Sequence, residues 1–204
     1  MLFRSLPELL ITIPAILIAI TFHEYAHGKT AALLGDPTPK AQGRLTLNPL
    51  AHLDPLGTLM LLVARFGWAK PVQVNPLYFR GDRQRGMLLV ALAGPLMNLV
   101  LAYLAAVGLR LAIYSGSLYV IFFLQTLIAI NVYLAVFNLL PIPPLDGSKI
   151  LAGLLPKSSL GFFYQLQTYG TLILILGLVT GIFWQVIGPV ATAILKFIYT
   201  ASGF

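Results

Sequence analysis

The sequence predicts a mainly α-helical protein that crosses a membrane repeatedly, with about five transmembrane helices and a small membrane-associated β element after the first. Of its 204 residues, 58% are hydrophobic and only 9% are charged, and the mean hydropathy is +0.89. Soluble domains carry about 25% charged residues, so this composition excludes that class. Apolar runs of roughly 20 residues, enough to cross a bilayer, recur along the chain. We expect residues 1–204 to form a single integral membrane domain.

Helix-breaking residues divide the chain into its predicted spans. These are expected at about residues 6–34, 86–113, 118–140, 162–182 and 185–199. Gly35-Asp36-Pro37 ends the first span, because a glycine followed closely by a proline stops a helix. We expect residues 8–155 to form the core of the domain and residues 156–204 to supply two accessory helices.

The segment between the first two spans, about residues 35–85, is polar and basic. It holds more than half of the Lys and Arg of a chain whose net charge is +7. By the positive-inside rule this segment faces the cytoplasm. The charge therefore indicates orientation in the lipid bilayer, and we expect no nucleic-acid partner. The chain has no cysteine, which excludes disulfides and thiolate metal ligands.

Two stretches of this basic segment alternate in polarity as strands do. They are residues 44–48 and 72–75, and each is closed by an Asn-Pro pair. They predict the small β element. Residues 55–68 between them are apolar but short for a span, which favours a re-entrant or interfacial helix.

The first span ends with the motif His23-Glu24-Tyr25-Ala26-His27. Histidines four residues apart lie on one face of a helix, about 6 Å apart along its axis, and can bind one metal ion. Glu24 lies about 100° further round the helix, where its carboxylate can reach a metal-bound water without binding the metal. That position suits a general base. Charged groups are costly in an apolar span, which favours this role over that of interfacial side chains.

A catalytic zinc site needs a third protein ligand and an open position for water. The chain offers three histidines and six acidic residues. Asp146 lies in a Pro-rich turn after the third span, at the same predicted membrane face as His23 and His27. An Asp-Gly pair can simply form a turn, but the shared face favours a metal ligand. His52 is left as a fourth ligand, an oxyanion donor or, as we prefer, a plain loop residue.

Amide side chains occur in the second and third spans. Gly94-Pro95 interrupts the second span, and a kink there would turn Asn98 toward protein. Gln125 and Asn131 are typical of hydrogen bonds between transmembrane helices.

Three of these motifs together resemble the site-2 protease family of intramembrane zinc metalloproteases. They are His23 to His27, Ala93-Gly94-Pro95 with Asn98, and residues 138–147, which follow the pattern Asn-x-x-Pro-x-Pro-x-Leu-Asp-Gly. The resemblance covers about residues 8–155, in the family's order. It implies a zinc ion held by His23, His27 and Asp146, with Glu24 as the catalytic acid and base. It also implies that Asn98 and Asn138 place the substrate backbone or structure the site.

The resemblance implies an endopeptidase that hydrolyses peptide bonds within or near the transmembrane segments of membrane proteins, as in regulated intramembrane proteolysis. The chain is similar to compact bacterial and archaeal members that lack a PDZ or CBS domain. We expect a multi-pass protein of a prokaryotic plasma membrane, with its active site toward the cytoplasm. A helical substrate must unwind before cleavage, and we expect one of the two predicted strands to pair with it.

Two other functions stay open from the sequence. In a metal-binding transporter or channel, His23, Glu24, His27 and Asp146 would line an ion path. Such a path should place polar groups through the depth of several spans, whereas these gather at one face. A catalytically inactive scaffold is the other alternative, and the presence of Glu24 argues against it because metal binding alone does not require that residue.

Overall fold

The computed structural model describes residues 6–57, 60 and 69–204, and these ranges are mainly helical. The α-helices described are α1 (Leu6–Leu33), α2 (Thr38–Ala41), α3 (Arg83–Ser115), α4 (Leu118–Asn138), α5 (Asp146–Leu154), α6 (Leu160–Thr180) and α7 (Trp184–Ala201). Short 3-10 turns lie at Pro49–Ala51, Pro76–Tyr78 and Lys157–Ser159. The fold is therefore an α-helical bundle with one long connection between α1 and α3.

Three helices in the described ranges are long and apolar enough to cross a membrane by themselves. The qualifying segments are Glu8–Leu33, Arg83–Tyr114 and Leu118–Asn138. Helices α6 and α7 meet at a bend of 80° and qualify together as one broken span. Gly181, with φ of 73°, ends α6 in the left-handed conformation and produces this break. The prediction of five separate spans is thus not confirmed, since the structure supports three spans, or four with the bent pair.

Helix α3 lies at the centre of the bundle and packs against α1, α4, α5 and α7. Ala15 of α1 and Ala102 and Ala106 of α3 are fully buried, together with Ile128 and Val132 of α4. Small side chains let transmembrane helices approach closely. The close contact of α1 with α3 therefore sets the distance between the His23 to His27 motif and α3.

The predicted β element is not seen in the part of the chain that the structure describes. Residues 44–48 and 72–75 form no strand. Among the described residues of the connection between α1 and α3, the antiparallel pairing is a single bridge between Leu53 and Ala69. The Asn-Pro pairs instead begin 3-10 turns, in which the Asn48 and Asn75 side chains accept hydrogen bonds from Leu50 N and Leu77 N. Most of the predicted re-entrant helix at 55–68 lies outside the described residues.

Residues 72–75 form backbone hydrogen bonds with carboxylates and not with a neighbouring strand. Val72 N donates to Glu24 Oε2 over 2.9 Å, and Asn75 N donates to Asp36 Oδ2 over 2.7 Å. The carboxylates of Glu24 and Asp36 therefore accept hydrogen bonds from backbone amides that, in a sheet, would donate to a neighbouring strand. We call residues 71–75 the strap, because they lie across the C-terminal part of α1.

Candidate metal centre

His23, His27 and Asp146 meet in the structure as the sequence predicts. His23 Nε2 and His27 Nε2 lie 3.1 and 3.0 Å from Asp146 Oδ2, and 3.0 Å from each other. All three side chains are buried. Helical spacing places both imidazoles on the face of α1 that contacts α3, and α5 begins with the aspartate.

The second ring nitrogen of His23 is fixed by a network of buried amides. His23 Nδ1 lies 2.6 Å from Asn98 Oδ1, and Asn98 Nδ2 donates to Ala19 O and to Asn131 Oδ1. Those two acceptors define the orientation of the Asn98 amide, so its oxygen must accept from the imidazole. His23 therefore carries its proton on Nδ1, and its Nε2 lone pair points toward Asp146.

His27 is held in the same tautomer by a backbone carbonyl. Its Nδ1 lies 2.7 Å from Val90 O, which can only accept a hydrogen bond. When both imidazoles are neutral, this tautomer directs their Nε2 lone pairs at one carboxylate oxygen, and three acceptors this close repel each other unless a cation lies between them.

The donor set fits zinc. Ligand atoms bound tetrahedrally at 2.0–2.1 Å lie about 3.3 Å apart, close to the separations found here. Partners such as Asn98 and Val90 on the outer nitrogens are typical of metal-bound histidines.

Gly94 explains how the two imidazoles lie against α3. A Cβ at this position would lie 2.6 Å from His23 Cε1 and would also collide with His27 Nε2. Helix α3 continues through Gly94-Pro95 as far as Ser115, and Asn98 is fully buried as expected. The glycine therefore provides space for the ligands.

Asp146 is held by the turn that the Pro-rich motif forms. A Cβ on Gly147 would collide with the carbonyl oxygens of Leu139 and Leu140, so glycine lets the start of α5 pack against the end of α4. Lys149 Nζ lies 3.5 Å from Asp146 Oδ1, which leaves Oδ2 for the histidines.

Glu24 lies beside the three converging groups, in a cavity of about 570 Å³. The strap lines the opposite side through Pro71, Val72, Gln73 and Val74. Because Val72 N binds Glu24 Oε2, the carboxylate is oriented within the cavity while its backbone stays on α1. The cavity is large enough for an extended stretch of peptide beside the metal ligands.

This chain is similar to several proteins that are named as zinc metalloproteases. "Putative zinc metalloprotease YwhC" of Bacillus subtilis is 41% identical over 197 residues, which are 92% of this chain and 87% of that protein. The chain belongs to peptidase family M50, the site-2 protease family.

Other comparisons agree with this assignment. A family model described as Peptidase family M50 matches residues 111–178. "Putative zinc metalloprotease Rip2" of Mycolicibacterium smegmatis is 34% identical over 169 residues, 80% of this chain and 64% of that protein. "Putative zinc metalloprotease MJ0611" of Methanocaldococcus jannaschii is 46% identical over 63 residues, 30% of this chain and 31% of that protein. No solved structure matches the chain.

The other residues that the sequence suggests for the site of this M50 peptidase are Asn138, Asn98 and His52, and they lie in different places. Asn138 lines the cavity, and its Nδ2 donates to Leu134 O of its own helix. Asn98 lies behind His23, so its contacts are structural. His52 is fully buried outside the cluster of His23, His27 and Asp146, and its Nε2 lies 2.9 Å from Thr46 O.

Asp36 is a buried site that sequence reasoning missed. The residue is 1% exposed and accepts hydrogen bonds from Thr38 N and Asn75 N. The pattern Gly35-Asp36-Pro37 indicates a helix end. Nothing local in it indicates that the strap folds back over the carboxylate.

Proposed function

We propose that this M50 peptidase is a zinc-dependent intramembrane endopeptidase that hydrolyses peptide bonds within or near transmembrane segments of membrane proteins. The observation that carries the proposal is the convergence of His23, His27 and Asp146 beside Glu24, in a cavity next to apolar helices that can cross a bilayer. A structural zinc site would close all four positions with protein ligands. Here three ligands face a cavity, which leaves room for water and substrate.

Each residue has a distinct role in the proposed reaction. His23, His27 and Asp146 hold the metal, and Asn98 and Val90 O keep both imidazoles in the tautomer that binding requires. Zinc, when bound, would polarise the scissile carbonyl and lower the pKa of the attacking water. Glu24 accepts the proton of that water and returns it to the leaving nitrogen.

The substrate is proposed to be a membrane-spanning segment that has unwound locally. Helical carbonyls are hidden in internal hydrogen bonds, and such a segment must open before a peptide bond can reach Glu24. Asn138 and Gln73 line the same cavity and can bind the released backbone groups. Basic residues of the connection between α1 and α3 support a multi-pass topology with the cavity toward the cytoplasm, as expected for a bacterial or archaeal plasma membrane.

The test compares wild-type protein with Glu24→Gln, both purified in detergent and loaded with zinc. A panel of single-span membrane proteins, tagged at both ends, is incubated with each, and cleavage is followed by the appearance of both tagged fragments. We expect zinc content to be equal, and cleavage to fall by at least about 1,000-fold in the variant, because it cannot move the proton.

Two results would contradict the proposal. A Glu24→Gln protein that still cleaves at the wild-type rate would remove the proton transfer assigned to that residue. Wild-type protein that binds zinc but cleaves none of the panel, in detergent and in lipid vesicles, would count against intramembrane proteolysis.

A further inference from the structure

His52 lies outside the metal centre, yet it has buried contacts that lead toward it. The side chain is fully buried, and its Nε2 lies 2.9 Å from Thr46 O. Because a carbonyl oxygen only accepts, Nε2 carries the proton and donates, and Nδ1 is an acceptor with no partner among the described residues. The His52 carbonyl oxygen accepts a hydrogen bond from Lys70 N over 2.9 Å. One residue thus joins the loop after α2 to the chain that enters the strap.

The hydrogen bond from Lys70 N to His52 O, which we call the anchor, lies two residues before the Val72 amide that binds Glu24. Next to it, Leu53 and Ala69 form an antiparallel bridge, which determines the register of the two segments. Between Lys70 and Val72 lies Pro71, whose ring restricts φ to about −65°. The proline removes one of the backbone rotations that could absorb a displacement of Lys70 before it reaches the Val72 amide.

Both segments also rest on α1, one turn beyond Glu24. A Cβ on Gly28 would lie 3.0 Å from Leu45 Cδ2 and 3.4 Å from Val72 Cγ1. The absence of a side chain at Gly28 thus lets the loop and the strap contact the helix. On the loop side, Arg44 is buried and donates to Ala51 O, next to His52.

We propose that His52 is a positioning residue for catalysis, which acts through Lys70 and Pro71 to hold the Val72 amide against Glu24. The amide binds one carboxylate oxygen of Glu24 and so restricts its rotation, which leaves the other oxygen for the proton of the attacking water. This inference rests on the proposed role of Glu24. The contact that it requires can be measured without any substrate.

The experiment measures hydrogen–deuterium exchange of single amides in zinc-loaded protein in detergent. We compare wild type with His52→Leu, His52→Gln and Glu24→Ala. Leucine removes the donor to Thr46 O, whereas the glutamine Nε2 can occupy nearly the same place. We expect Val72 to exchange about tenfold faster in Glu24→Ala and His52→Leu, as for the loss of one ordinary hydrogen bond, with exchange in His52→Gln close to wild type.

Lys70 provides an internal comparison. Its amide should exchange faster in His52→Leu but not in Glu24→Ala, because the anchor lies before the strap. Zinc content should be equal to that of the wild type in His52→Leu, since no metal ligand is changed. With a reporter protein that the wild type cleaves, the same variant should lose kcat by about tenfold with KM unchanged, and His52→Gln should restore it.

Val72 exchange at the wild-type rate in His52→Leu would overturn the inference, as would His52→Gln exchanging as fast as His52→Leu. If His52→Leu loses zinc through misfolding, Lys70→Pro replaces it, since it deletes the backbone hydrogen bond to His52 O directly and leaves the imidazole in place. Unchanged Val72 exchange in that variant would also overturn the inference. Failure of the proposed function has a separate signature, namely full cleavage by Glu24→Gln with the exchange pattern intact.

Discussion

The proposed metal ligands and the proposed catalytic carboxylate are supported by different kinds of structure. His23 and His27 lie between packed helices, and each outer nitrogen is bound by a group of α3. Glu24 is on the same helix, but the partner of its carboxylate is an amide of the strap, a segment without regular secondary structure. We therefore expect metal binding to depend on the helical bundle, and the orientation of the Glu24 carboxylate to depend on the strap.

This difference indicates that the two functions can be separated by substitution. A change at the helix contacts should affect zinc first and activity as a consequence. A change in the strap or in its anchors should lower activity while zinc remains bound.

The largest effect is expected from removing metal ligands. His23→Ala/His27→Ala should bind no zinc, and Asp146→Asn should weaken binding by more than about 100-fold, since loss of an outer-shell partner alone costs 10–100-fold. Metal analysis and zinc titration of purified protein measure this. Wild-type protein should hold about one zinc per chain, and stoichiometric zinc in the double variant would place the metal elsewhere.

A smaller loss is expected from Asn98→Leu, which deletes the hydrogen bond to His23 Nδ1 and leaves Asn131 Oδ1 without its donor. Zinc affinity should fall by about 10–100-fold, and activity should return when excess zinc is added. Gln125→Leu is the matched control, because that amide is exposed on α4 and should leave affinity unchanged. Equal affinities of the two variants would show that the amide network does not support the ligands.

The difference between bundle and strap also determines what the sequence could predict. The histidine pair follows from helical periodicity, which is local, and Asp146 could be matched to it because both lie at the same ends of predicted spans. The contact of Gly94 with the imidazoles could not be derived, since it depends on how closely α1 and α3 approach. The strand predicted at residues 72–75 is not seen, because alternating polarity does not define the hydrogen-bond partner of each amide.

The burial of Asp36 and the bend between α6 and α7 illustrate the same limit. A short Gly-Asp-Pro turn is usually solvated, but the Asp36 side chain is buried here, and its carboxylate accepts a hydrogen bond from Asn75 N, 39 positions later. A left-handed glycine at Gly181 ends a helix, but whether the next helix reverses or bends depends on its packing partners. Contacts between residues that are far apart in the sequence determine both features, and local sequence patterns do not reveal such contacts.

The smallest effect is expected from Asp36→Asn at the far end of the strap. Asp36 Oδ1 accepts from Thr38 N and Oδ2 accepts from Asn75 N, and an asparagine can keep only one of these bonds. The Asn75 amide should then exchange about tenfold faster, for a local loss of about 1–1.5 kcal/mol. Zinc content should not change, and cleavage should fall by less than about tenfold, because Val72 is still held by Glu24 and by the anchor at Lys70.

Asp54→Asn is the control for this last variant, since its carboxylate also accepts a turn amide, Gly57 N, but lies outside the strap. It should leave Asn75 exchange and cleavage unchanged. If Asp36→Asn lost zinc together with activity, strap and bundle would form one cooperative unit. If instead zinc stays bound while cleavage falls, Asp36 and His52 hold the two ends of one segment, which orients Glu24 without contributing to the metal site.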